Sequence, residues 1–149
     1  MLMFLIGFLV GTVIVGAICN DILKSSNATR YKPYFLLLNR WLCKKQEGKD
    51  TKDWFRGKKY HRVCIYGLAE IGERLISEIE SSDIKISCGI DKRVIKHDFD
   101  FPVYRMKDIQ EISQDFDVIV VTPFYYFEEI HSELVKCFNC DIVSIDEVV

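Results

Sequence analysis

The pattern of apolar and polar positions divides the chain into three stretches. Residues 1–19 (MLMFLIGFLVGTVIVGAIC) carry no charged side chain. A mostly polar stretch follows as far as Tyr60, interrupted by one segment of helical periodicity, YKPYFLLLNRWLCKKQEGK. From Arg62 onward, short apolar runs alternate with segments whose apolar residues recur every three or four positions. That alternation predicts a parallel sheet with helices on its faces. Strands are expected at Arg62–Tyr66, Lys85–Ile90, Phe101–Tyr104, Asp117–Val121 and Asp141–Ile145. Helices are expected over Glu70–Ser81, Lys107–Ser113 and Phe124–Phe138. The run DVIVV at 117–121 is the continuous apolar stretch of a central strand buried on both faces. Right-handed crossovers then favour strand order 3-2-1-4-5.

The first stretch reads as an uncleaved membrane anchor, with residues 1–22 as its unit. At the helical rise its 19 uncharged residues would span about 28 Å, close to the bilayer core of about 30 Å. A cleaved signal peptide needs a basic leader, which is missing, and a buried core helix would show a polar stripe. Lys24, Arg30, Lys32, Arg40, Lys44 and Lys45 follow the apolar segment and nothing positive precedes it. The positive-inside bias therefore expects a single pass through the inner membrane, with the rest of the chain in the cytoplasm. Gly7 and Gly11 form a GxxxG through which two anchors can pack into a homo-oligomer, but glycine is common in membrane helices anyway and dimerisation is the minority reading.

Residues 23–60 read as a basic helical stalk. Pro33 suits a first helical turn and Gly48 a stop. Phe35, Leu36, Leu38, Trp41 and Leu42 form the expected apolar side, opposite Arg40, Lys44 and Lys45. Such a helix suits either an anionic lipid surface or packing on the globular domain. Lys52–Arg56 suggests one further helical turn with Trp54 and Phe55 as packing residues, broken by Gly57.

Charge separates the stalk from the domain that follows. Asp21–Arg62 holds 12 Lys and Arg against 4 Asp and Glu, a net +8. Val63–Val149 holds 8 against 18, a net −10, which argues against nucleic acid as a partner of residues 61–149. Of the six cysteines, Cys64 and Cys88 sit in apolar strands as small hydrophobes. Cys137 and Cys140 form a CxxC with no second pair at zinc spacing, and reduced thiols are the plainer reading. His61, His97 and His131 have no partners at ligand spacing, so no metal is expected.

The chemistry-bearing stretch is CIYGLAEIG, Cys64–Gly72. A strand–loop–helix turn that holds a pyrophosphate uses three glycines: one for the bend, one for backbone approach, one for helix–strand packing. Gly67 and Gly72 fill the first and third roles, and Ala69 stands at the second. The candidate phosphate loop comprises Gly67, Leu68, Ala69, Ile71 and Gly72, with Glu70 a carboxylate near the same helix end. Asp91 follows Gly67 by 24 residues, near where an acidic residue reads ribose hydroxyls. Lys92 and Arg93 come next and suit a phosphate, leaving NAD and NADP both open. Thr122, after the fourth strand, is expected at the crevice where strand order reverses. Tyr125 and Tyr126 lack a lysine four residues on, so no dehydrogenase Tyr/Lys pair is present, and no catalytic constellation is visible. Five strands reach Val149, so an oxidoreductase would be expected to borrow its catalytic half from another chain.

The runs VCIYGLAEIGERL, CGIDKR, FPVYRMKDI and DVIVVTP resemble the small Rossmann-like domains of bacterial surface-polysaccharide genes. They are similar to the nucleotide-binding domain of nucleoside-diphosphate-sugar epimerase/dehydratase proteins and to the amino-terminal domain of sugar-nucleotide acetyltransferases. LLNRWLCKKQEGK looks like the lead-in of stand-alone members. The likeness covers roughly the last two thirds of the chain and departs at Ala69 and at the missing catalytic half. It implies a five-stranded Rossmann-like sheet, ligand-facing Gly67, Gly72 and Asp91, and NAD(P) or a UDP-sugar as ligand. It further implies an accessory role in cell-surface glycan synthesis beside glycan-synthesis enzymes. Readings of a different class are an interaction module with an empty crevice, or an epimerase/dehydratase relative completed by a partner subunit.

Overall fold

The computed structural model describes residues 31–93 and 99–149. The chain divides into two units, residues 1–40 and 41–149. Of the first, residues 31–40 are described, and all belong to helix α1 (residues 31–46). The second holds α2 (Thr51–Lys58), β1 (Arg62–Tyr66), α3 (Glu70–Ile79), β2 (Lys85–Asp91) and β3 (Val103–Arg105). A 3-10 helix (Met106–Glu111), β4 (Val118–Val121), a 3-10 turn (Phe124–Tyr126), α4 (Phe127–Leu134), β5 (Asp141–Ser144) and α5 (Ile145–Val148) complete it.

The five strands form one parallel sheet in the order β3-β2-β1-β4-β5, the order expected from crossover handedness. Every residue of β4 is buried, as its unbroken VIVV run requires. Alternation along the strands sends side chains to two faces. Cys64, Tyr66, Ile90, Ile119 and Val121 pack on one face with Ile130 and Leu134 of α4. Val63, Ile65, Val118 and Val120 alternate with them and are fully buried too. Leu75 and Ile79 of α3, Phe55 of α2 and Ile145 of α5 add further fully buried side chains to the core.

α1 ends as its sequence suggests. Lys49 N–H reaches Lys44 C=O (2.9 Å) and Gly48 N–H reaches Lys45 C=O (3.0 Å), a paired closure around Gly48. Its buried residues are Leu37 and Trp41, whereas Phe35 (67% exposed), Leu36, Leu38 and Leu42 (55%) face solvent. The expected apolar side is therefore corrected. Trp41, in the second unit, bonds within that unit, its indole N–H donating to Glu78 Oε2 at 2.7 Å. Gly57 does not break the chain either. It lies inside α2, which closes two residues later where Lys59 takes a left-handed conformation (φ 62°).

The expected anchor over residues 1–22 lies outside the described residues, as does His97. Among the described residues no helix is long and apolar enough to cross a membrane. That finding overturns the single-pass architecture and, with it, the placement in the inner membrane with a cytoplasmic domain. The fold is corrected to an α/β domain around a five-stranded parallel sheet, preceded by α1 and α2.

Candidate functional site

The β1–α3 corner is built by two glycines with separate tasks. Gly67 turns the chain at φ +88°, a conformation that disfavours side chains. A Cβ there would also stand 2.7 Å from Thr122 Oγ1 and 2.8 Å from Pro123 Cδ. Gly72 lies in the first turn of α3, where a Cβ would clash with the Gly67 carbonyl oxygen. The first and third glycine roles expected from the sequence are thus both required by contact distances.

Ala69 is the residue that caps α3, with extended backbone (φ −74°, ψ −167°) and no side-chain capping bond. The first bond of the helix runs from Glu73 N–H to Ala69 C=O at 2.9 Å. The N–H groups of Glu70, Ile71 and Gly72 precede it and have no intrahelical acceptor. Both Ala69 and Glu70 are exposed. The corner therefore presents backbone donors at the positive end of a ten-residue helix.

Asp91 ends β2 beside this loop and is 8% exposed. Its Oδ2 accepts the Leu68 N–H at 2.8 Å and its Oδ1 accepts the Arg93 N–H at 2.8 Å. The Leu68 side chain turns inward, 1% exposed, and packs over Gly89, where a Cβ would meet Leu68 Cδ1 at 2.8 Å. Ile71 is likewise buried. Thr122 is 4% exposed, its hydroxyl donating to Gly67 C=O (2.7 Å) and within bonding distance of Tyr66 C=O (3.2 Å). Lys92 and Arg93 are exposed beyond the end of β2.

The predicted site residues thus converge, but in different capacities. Gly67, Gly72, Leu68 and Thr122 shape the corner, Asp91 holds it to β2, and Ala69, Lys92 and Arg93 face solvent. Two contributors were missed by sequence reasoning. Gly89 makes room for Leu68, and its signal was a glycine inside the strand CGID. Tyr66, the last residue of β1, carries a buried hydroxyl with no hydrogen-bond partner among the described residues. Burial, followed by the nearby Glu133, Asp91 and Glu129 carboxylates, pushes its pKa up to about 12, so it stays a proton donor.

A five-stranded parallel sheet in the order β3-β2-β1-β4-β5, with a glycine corner where the strand order reverses, defines an α/β domain. The family model described as C2185-like, N-terminal matches residues 59–143, more than half of the 149-residue chain. The chain belongs to that C2185-like family. No curated protein matches it.

Proposed function

We propose that the domain binds a nucleotide or nucleotide-sugar, NAD(P) or a UDP-sugar, with its phosphates at the β1–α3 corner. The observation that carries this reading is the uncapped start of α3, whose amides follow directly on the Gly67 bend. Helix amino termini of this kind attract anions through both free N–H groups and the helix dipole. The methyl group of Ala69 is exposed, so the missing middle glycine leaves these amides open. An accessory role in glycan synthesis rests on the resemblance of the loop and strand motifs.

A second reading has its own support. Asp91 and Thr122, the polar groups expected to meet ribose and ligand, both bond to the protein's own backbone. A crevice satisfied from within suits an interaction module that keeps the Rossmann shape without a ligand.

One substitution separates the two. Ala69→Asp places a carboxylate at a capping position whose backbone already suits it, which should stabilise the fold by about 1 kcal/mol. The same carboxylate occupies the amides and repels an anion. The wild type should show a thermal shift with NAD, NADP or a UDP-sugar, and Ala69→Asp should melt higher but lose that shift. No shift in the wild type with any of the three removes the binding reading.

A further inference from the structure

Cys64 and Cys88 face each other across the two strands that carry the corner. A one-residue irregularity in the β1–β2 pairing after Val63 brings Cys64 opposite Cys88 rather than Ser87. Both thiols are buried, and their sulfurs are 3.1 Å apart in a shared hydrogen bond. Each lies three residues before a corner residue: Cys64 before Gly67, Cys88 before Asp91. A disulfide needs the sulfurs at about 2.05 Å on backbones some 4.4–6.8 Å apart at Cα. Neighbouring strands of a sheet lie at about 4.8 Å, within that range. Forming the bond brings the sulfurs about one ångström closer than they stand here.

We propose that Cys64 and Cys88 form a redox site, a dithiol that a small hydroperoxide converts to a disulfide. The two sulfurs differ in character. The hydrogen bond with Cys64 holds the Cys88 pKa down, while burial first and the Cys88 partner second hold Cys64 well up. The thiolate is the reactive form, so Cys88 attacks first. Its sulfur takes one peroxide oxygen, the O–O bond breaks, and Cys88 becomes a sulfenic acid as hydroxide leaves and is protonated to water. The Cys64 sulfur then attacks Cys88, the S–O bond breaks, and the second oxygen leaves as water with the Cys64 proton. Two thiols are oxidised by two electrons, and one hydrogen peroxide is reduced to two waters.

The bridge would join β1 to β2 below the Leu68–Asp91 bond, so the oxidised and reduced proteins differ beneath the corner. The competing sulfur is Cys140, half-buried against the same cluster, with the exposed Cys137 three residues before it. Burial, then Asp141 and Cys88, pushes Cys140 up to about 11, which leaves it the poorer nucleophile.

The test is peptide mapping of the full chain, reduced, treated with hydrogen peroxide, then unfolded in an alkylating agent. The expected product joins the Cys64 and Cys88 peptides with the loss of two hydrogens, and dithiothreitol reverses it. In Cys64→Ala the resolving thiol is gone, and dimedone should label Cys88. Alkylation of both Cys64 and Cys88 after peroxide overturns the proposal, as does a bridge confined to Cys137–Cys140.

Discussion

The Leu68 amide donates to Asp91 Oδ2 at 2.8 Å, across 23 residues of sequence, and together with the Gly67 N–H on Ile90 C=O (2.8 Å) this bond fastens the β1–α3 loop to the end of β2. The same carboxylate turns its other oxygen to Arg93 N–H. Removing it by Asp91→Ala leaves the buried Leu68 N–H without an acceptor, a loss of about 1–3 kcal/mol. Urea unfolding of Asp91→Ala should show a lower midpoint at unchanged slope, while Asp91→Asn, which keeps one acceptor oxygen, recovers part of the difference. An unchanged midpoint in Asp91→Ala would mean that the bond contributes nothing to the corner.

Tyr66 carries the opposite prediction. Its hydroxyl is buried and lacks a partner among the described residues. Tyr66→Phe removes a desolvated polar group at nearly constant shape and should raise stability by about 1 kcal/mol. A drop in the thermal midpoint instead would show that the phenol has an acceptor in the working protein.

Glu78 of α3 ties down the chain that leads into the sheet. Its side chain accepts from Trp41 Nε1 (2.7 Å), Lys45 Nζ (2.7 Å) and the Thr51 backbone N–H (2.8 Å), and the Thr51 hydroxyl joins them. Hydrogen bonds to a charged group are the stronger ones. Glu78→Ala should lower stability by about 2–3 kcal/mol, read from the tryptophan fluorescence transition in urea. A loss below about 0.5 kcal/mol would class these bonds with ordinary surface pairs.

Acid should loosen the start of β1. Asp117 is subject to burial, which raises its pKa, yet the His61 and Arg62 backbone N–H groups, each 2.8 Å from Oδ2, bring it below the ordinary 3.8. A carboxylate depressed in the folded state stabilises the fold above its unfolded pKa and loses that contribution as pH falls through the folded value. The thermal midpoint should therefore decline below about pH 4, and Asp117→Asn should decline less steeply. Parallel curves would exclude Asp117 as a source of the acid response.

The sheet was legible because buried strands are written as apolar runs. VIVV and RVCIY needed only pattern and crossover handedness to be ordered. Helix faces were less so. α1 offers apolar residues on several sides, and spacing alone did not distinguish the buried Leu37 and Trp41 from the exposed Phe35, Leu36, Leu38 and Leu42. α5 was missed although Ser144 and Glu147 stand at capping-box spacing and do form that box. At the corner, the positions of Gly67, Gly72 and Asp91 were readable. The partners of Asp91 and Thr122 were not, because loop amides and carbonyls of distant segments choose them without a sequence signal.

The proposed function requires the amides at the start of α3 to receive a phosphate. Native mass spectrometry of the purified chain, alone and with NAD, NADP or a UDP-sugar added, tests it most directly. Saturable one-to-one binding of one of these is expected in the wild type, with its loss in the folded Ala69→Asp variant. A wild type that stays at its apo mass with all three, or an Ala69→Asp variant that binds equally well, would contradict it.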